Sequence, residues 1–205
     1  MDKFLDWIVE LQSLAQAGLR YSKDVYDLER FTRIRKLSAL MLSALSDTPL
    51  QKVEDIFCSE VGYQTPKIDT RAAVFENDKI LLVKERDGRW ALPGGFVDVN
   101  TSVGESAVKE VLEEAGLVVE IEKVIGLLDR ERHNKPVYCY KMCSVYVQCK
   151  KLSGSFKANN ETIDSGWFSP DEIPENLATQ KTTGEQIALC FKAYEAGENW
   201  KTFIE

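Results

Sequence analysis

Leu92-Pro93-Gly94-Gly95-Phe96-Val97-Asp98 is followed, after a short polar stretch containing Thr101, by Lys109-Glu110-Val111-Leu112-Glu113-Glu114-Ala115-Gly116-Leu117. At about 100° per residue, Glu110, Glu113 and Glu114 fall within a wedge of roughly 100°. Val108, Val111, Leu112 and Ala115 lie on the opposite side. The spacing predicts an amphipathic helix from about Val103 to Ala115, closed by Gly116 in the left-handed conformation. Like charges at i, i+4 repel by roughly 0.2–0.5 kcal/mol, so such a face is ordinarily solvated and has basic residues a turn away. Here Glu110 looks toward Glu114, while Glu113 and Glu114 look toward Leu117 and Val118, and no basic neighbour is expected. Hard divalent cations fill that role better, because Mg²⁺ takes carboxylate oxygens and keeps waters and phosphates as its remaining ligands.

The periodicity divides the chain near Pro66. Before it, Phe4, Leu5, Ile8, Leu11, Leu14 and Ala15 mark a first helix that Gly18 is expected to close. Leu28, Phe31, Ile34, Leu37, Met41 and Leu45 mark a second. A third begins at Pro49, capped by Thr48, and carries Val53, Ile56 and Phe57. After Pro66 the period shortens. Residues 71–75 and 79–83 read as strands joined at Glu76-Asn77-Asp78, and Trp90-Ala91-Leu92 leads into the Pro-Gly-Gly turn. Residues 118–121, 123–128, 137–147 and 167–168 supply further strands, and residues 182–196 a final helix with Ile187, Leu189, Cys190 and Tyr194 inward. The expected organisation is an all-α domain over residues 1–66 and an α/β domain over 67–205.

Composition sets the outer limits. A chain of 205 residues with 44% hydrophobic and 29% charged residues is globular in character. No run approaches the roughly 20 apolar residues of a membrane span, and the acidic start Met1-Asp2-Lys3 is unlike a secretory leader. Five cysteines without a Cys-x-x-Cys pair and a single histidine argue against zinc and for a reduced cytoplasm. Cys139, Cys143 and Cys149 alternate in an apolar run and are expected to be buried. A net charge of −7 disfavours general nucleic-acid binding. The basic cluster Arg30, Arg33, Arg35 and Lys36 alternates with acids and reads as a solvated helix face.

The segment from Gly95 to Leu117 resembles the Nudix box. Gly95, Glu110, Val111, Glu113, Glu114, Gly116 and Leu117 match in register, whereas Thr101 stands for the box's first Glu and Lys109 for its Arg. A lysine cannot make the planar bidentate contact of a guanidinium, so this end of the site departs from the pattern. The resemblance extends from about Asp69 to Tyr194 and implies an α/β/α sandwich with a mixed sheet. Residues 18–30 and 62–66 resemble the helical extension of two-domain Nudix hydrolases of the ADP-ribose and CDP-choline pyrophosphatase kind.

The resemblance implies a Mg²⁺- or Mn²⁺-dependent pyrophosphatase that cleaves a nucleoside diphosphate linked to another moiety. Glu110, Glu113 and Glu114 are the expected metal ligands, with the Gly95 carbonyl as a further one; Glu110 is a candidate base, and Lys109 orders the carboxylates. Glu161, in a late loop, is a second candidate base or a plain surface residue. Gly94 and Gly95 allow close backbone approach to substrate. Arg71 and Lys141 are each either phosphate clamps or ordinary ion-pair partners. Tyr138 and Tyr63 are candidate base-stacking rings, His133 is a solvated loop residue, and Trp90 is core. The apolar second helix implies a homodimer. Two other readings stay open: an RNA-end hydrolase using the same site, supported only by the basic cluster, and a sensing module that has lost turnover.

Overall fold

The computed structural model describes residues 3–136, 138 and 140–205. The chain forms two compact units. One comprises the residues up to Pro66 together with Tyr138, Tyr140 and Lys141; the other comprises Lys67–Pro136 and Met142–Glu205.

The first unit holds α1 (Lys3–Tyr21), α2 (Val25–Ser46) and α3 (Leu50–Phe57). Asp24 caps α2 by accepting the N–H groups of Tyr26 and Asp27, each at 3.0 Å. Ile8, Ala39, Leu42, Val53 and Phe57 form a small core. The side-chain amides of Gln12 and Gln16 tie the exit from α3 to α1, donating to the carbonyls of Phe57 and Gly62 at 3.1 and 3.0 Å. Gly18 lies inside α1 rather than at its end. A Cβ there would sit 2.4 Å from the Phe31 ring, so this glycine serves helix packing, a role that looks like a stop signal in sequence. Thr48 does not cap α3, which begins after Pro49 without a side-chain cap.

The buried line of α2 is Ser38, Ala39 and Leu42. Leu37, Met41 and Leu45, expected to face inward, are 41–47% exposed. Three helices do not provide enough surface to cover both sides of α2. Most of the basic cluster is engaged locally: Arg30 with Asp27, Lys36 with Glu54, and Arg35 with the carbonyls of Cys58 and Glu60.

The second unit is built on a seven-stranded sheet of β1 (Lys67–Glu76), β2 (Lys79–Glu85), β3 (Trp90–Ala91), β4 (Leu117–Asp129), β5 (Met142–Gly154), β6 (Thr162–Phe168) and β7 (Phe203–Ile204). The order is β3-β2-β1-β5-β4-β7, and β6 also pairs with β2. The sheet is mixed, since β1–β5 and β4–β7 are parallel and the other pairs antiparallel. Asn77 and Asp78, at φ 50° and 60°, make the tight β1–β2 turn. Residues 118–128, read in sequence as two strands, form one, because bulges let β4 absorb its polar interruptions. β5 begins at Met142, later than its apolar run suggests; Val137 and Cys139 lie outside the described residues.

Alternation along β1 and β2 divides the core between two faces. Ala72, Val74, Leu81 and Val83 meet Ala107, Val111 and Ala115 of α4 (Val103–Ala115). Ala73, Phe75, Ile80 and Leu82 meet Ile187, Cys190, Phe191 and Ala193 of α6 (Gly184–Ala196), which follows the one-turn α5 (Arg130–His133). This is an α/β/α sandwich with a mixed sheet, preceded by a small all-α unit. Among the described residues no helix is long and apolar enough to cross a membrane. Cys58, Cys143, Cys149 and Cys190 are free thiols, Cys149 and Cys190 buried and Cys143 half-buried.

Candidate active site

The Pro-Gly-Gly turn is laced along β1. Ala72 and Thr70 donate their N–H groups to the carbonyls of Pro93 and Gly95 at 2.9 and 2.8 Å. Gly94 adopts φ +151°, and a Cβ there would lie 2.0 Å from the Thr70 carbonyl oxygen; no side chain fits. A Cβ on Gly95 would meet the Glu110 carboxylate, with Oε1 at 2.8 Å and Oε2 at 3.0 Å. The second glycine thus lets backbone and carboxylate share one wall.

α4 carries the carboxylates. Ser102 caps it in a reciprocal box with Glu105: the Glu105 N–H donates to Ser102 Oγ at 3.2 Å, and the Ser102 N–H donates to Glu105 Oε2 at 2.8 Å. Gly116, at φ 67°, closes the helix. The buried line is Ser106, Ala107, Val111, Glu114 and Ala115. Leu112, expected inside, is 51% exposed, since the last turn rotates Glu114 rather than Leu112 toward the sheet.

The three carboxylates differ. Glu114 is only 6% exposed, and its Oε2 accepts the Gly94 N–H at 2.9 Å. Burial pushes its pKa up to about 7, against the opposing pull of the Gly94 N–H and of Arg71. Glu110 is also raised, first by burial and then by the neighbouring Glu113 charge. Glu113 is exposed and does have a basic neighbour: Lys109 Nζ lies 3.8 Å from its carboxylate, an i, i+4 pair. That pairing was readable from the spacing and contradicts the expectation of an uncompensated face.

Lys109 also pairs with Asp98 at 2.9 Å, whereas the Thr101 hydroxyl turns back to donate to the Asp98 carbonyl at 3.1 Å. The acid facing Lys109 therefore comes from three positions earlier than Thr101. Asp98→Ala is expected to loosen Lys109 and lower metal affinity a fewfold, and Thr101→Glu in that background to restore part of it. Mn²⁺ titration across the double-mutant cycle checks this; strict additivity would contradict it.

Arg71 is 6% exposed. Its Nε and Nη2 donate to Asp69 Oδ2 at 3.1 and 2.9 Å, and its Nη1 donates to the Gly94 carbonyl at 2.8 Å. Ser144 Oγ donates to the other Asp69 oxygen at 2.5 Å. Of the two roles open to Arg71, this geometry is that of an ion pair fixing the glycine turn, with the guanidinium engaged on both edges. Lys141 pairs with Asp6 at 3.5 Å within the helical unit, where Tyr138 also lies, its ring 5.5 Å from that of Tyr140. Both belong to the compact unit that does not contain the glutamates. His133 meets Glu205 at 3.0 Å, and Trp90 packs edge-on against Phe168.

Glu161 shares with Glu114 a cleft of about 370 Å³, completed by Glu85, Arg86, Asp87 and Lys181. Asn159 secures its loop. The Asn159 side chain accepts the N–H groups of Glu161 and Thr162 at 2.8 and 2.9 Å and donates to the Glu113 carbonyl at 2.8 Å. Thr162 Oγ1 donates to the Glu114 carbonyl at 2.6 Å. Asn159 and Asp98 escape sequence reading because each acts on α4 from a loop without periodicity. Among the described residues no three acidic, imidazole or thiol groups form a finished metal cage. The donor set nonetheless suits a hard cation, which needs only one or two carboxylates beside water and phosphate oxygens.

The Nudix domain profile matches residues 66–189, and a UDP-X-like N-terminal oligomerisation domain profile matches residues 2–57. The chain belongs to the Nudix hydrolases, enzymes acting on phosphoanhydride bonds. It is 37% identical over 190 residues to the Bacillus subtilis (strain 168) protein named "Putative ADP-ribose pyrophosphatase YjhB", covering 92% of this chain and 91% of that one. A solved ADP-ribose pyrophosphatase from Streptococcus suis 89-1591 is 48% identical with a TM-score of 0.63, covering 69% of this chain and 100% of its own. A solved UDP-X diphosphatase is 31% identical with a TM-score of 0.65, covering 99% and 98%. The protein is a Nudix pyrophosphatase of the nucleoside diphosphate-linked class, in a family that is typically metal-dependent.

Proposed function

We propose that the protein hydrolyses a nucleoside diphosphate joined to another moiety, of the ADP-ribose or CDP-choline class, to a nucleoside monophosphate and a phosphorylated product. The observation that carries this reading is the buried Glu114 carboxylate, aimed by the Gly94 N–H into a cleft shared with Glu161. Glu110, Glu113, Glu114 and the Gly95 carbonyl would hold Mg²⁺ or Mn²⁺. Such a cation, when bound, lowers the pKa of water and offsets charge on phosphoryl oxygens. Glu114 supplies the anchoring charge from its buried position. Glu110, whose pKa burial raises, and Glu161, whose loop Asn159 holds, are the two groups suited to take the proton from the attacking water. Arg71 keeps the glycine turn in place beneath them, and Lys109 holds Glu113.

The names of two relatives favour ADP-ribose, and the solved UDP-X diphosphatase adds UDP-linked compounds to the test. A panel of ADP-, CDP- and UDP-linked diphosphates, assayed with Mg²⁺ and Mn²⁺ and followed by product mass, should give the monophosphate from at least one member. No product from any member would contradict the reading. The RNA-end alternative loses its motivation, because Arg30, Arg35 and Lys36 are engaged locally. The sensor alternative weakens too, since Lys109 has an acidic partner in Asp98. The free thiols of Cys58, Cys143, Cys149 and Cys190 suit a reducing compartment.

Leu37, Met41 and Leu45 leave an apolar face on the unit that matches an oligomerisation domain, and we assign them to a homodimer interface. Met41→Glu in the full chain should therefore shift sedimentation from dimer to monomer. An unchanged dimer would place the interface elsewhere.

A further inference from the structure

The β2–β3 hairpin brings three charged residues, Glu85, Arg86 and Asp87, to the cleft that also holds Glu114 and Glu161. It is a tight turn: the Gly88 N–H donates to the Glu85 carbonyl at 2.9 Å, and the Glu85 N–H donates to the Arg89 carbonyl at 2.8 Å. Asp87 is committed to Arg89, whose Nε and Nη2 approach its Oδ2 at 2.9 and 2.6 Å. Glu85 is committed to Lys181. Arg89 Nη1 also donates to Gln180 Oε1 at 2.9 Å, so the hairpin is anchored to the segment before α6. Arg86 differs from all of these. It lines the cleft, is exposed, and makes no hydrogen bond or ion pair to any described residue.

These pairings leave a simple charge pattern. On the hairpin wall, Glu85 and Asp87 are each neutralised by a neighbouring cation, and the Arg86 guanidinium remains as the uncommitted charge. The same cleft holds Glu114 and Glu161. Two carboxylates repel a polyanionic substrate until a divalent cation offsets them. Once that has happened, the hairpin adds a net positive field through Arg86. A planar fork of N–H donors on a rigid turn is suited to two oxygens of one phosphoryl group. An arginine serving only solubility has no need to face a cleft, nor to have both adjacent acids taken by other partners.

We propose that Arg86 is the diphosphate-reading residue of this site. It would grip the phosphoryl group that lies away from the carboxylates of α4, so that the cleft selects substrates carrying two linked phosphoryl groups over single phosphate esters. This rests on the hydrolase reading above and adds a specificity residue to it.

Inorganic pyrophosphate is the direct probe. Its binding to the full-length protein is measured by calorimetry with Mg²⁺ in excess, beside Arg86→Ala and Arg86→Lys. Mn²⁺ binding to each protein alone is measured by electron paramagnetic resonance. A lost charge-assisted contact should weaken pyrophosphate about tenfold or more in Arg86→Ala, and less in Arg86→Lys, with Mn²⁺ affinity unchanged. KM for a hydrolysed diphosphate-linked compound should rise by more than kcat falls. Equal pyrophosphate affinity in wild type and Arg86→Ala, no pyrophosphate binding by wild type, or a loss of Mn²⁺ affinity in Arg86→Ala would each overturn the proposal. Arg86-dependent pyrophosphate binding without hydrolysis of any diphosphate-linked compound would instead sink the catalytic reading and leave this subsite standing.

Discussion

Glu114→Gln is expected to lose turnover by a factor on the order of a hundred or more while the metal-free protein stays folded. The amide keeps an oxygen for the Gly94 N–H but brings no charge to a cation whose stabilisation of the reacting phosphoryl oxygens is worth several kcal/mol. The same substitution has a signature in stability. With the Glu114 pKa raised to about 7, the folded protein keeps a proton there after the unfolded chain has released its own near the ordinary carboxylate value. Native stability therefore falls as pH rises from about 4.5 to about 7, by on the order of 3 kcal/mol at most for a shift of this size. Glu114→Gln should flatten that part of the profile. Denaturant unfolding in chelator across this range checks it; a variant with wild-type turnover at limiting Mg²⁺, or an unaltered slope, would refute the assignment.

Gly94→Ala should be more damaging than any neighbouring substitution. The new methyl would lie 2.0 Å from the Thr70 carbonyl oxygen in a backbone conformation, φ +151°, that L-residues avoid. Strain and overpacking together predict a loss of roughly 2–5 kcal/mol. Relief by moving the turn would break the Gly94 N–H bond to Glu114 and the Arg71 bond to the Gly94 carbonyl. Both stability and activity should therefore fall together. Near-wild-type melting of Gly94→Ala would show that the turn is not held as tightly as these contacts imply.

The helix bearing the glutamates is legible because its own periodicity and terminating glycine specify it, and the sheet because the short apolar runs at residues 71–75 and 79–83, buried on both faces, are bounded by the turn Glu76-Asn77-Asp78. What stayed hidden required knowing which groups distant in sequence would meet. Three glutamates share a wedge, but only the position of the Gly94 N–H singles out Glu114 for burial. Thr101 and Lys109 read as a broken pair because the acid that faces Lys109, Asp98, sits in a loop without periodicity. Arg71 was equally readable as a clamp or an ion pair until Asp69 and Gly94 were placed around it. Gly18 misled for a different reason: a glycine that admits a ring and a glycine that ends a helix are the same letter. The Lys109–Glu113 pair, by contrast, follows from the i, i+4 spacing itself.

Mn²⁺ binding by the full-length protein, read by electron paramagnetic resonance for wild type, Glu114→Gln and Glu113→Gln, tests the central claim most directly. The account predicts saturable binding by wild type, severe weakening in Glu114→Gln, and a smaller loss in Glu113→Gln, whose carboxylate is exposed and shared with Lys109. Equal Mn²⁺ affinity in all three proteins would contradict it.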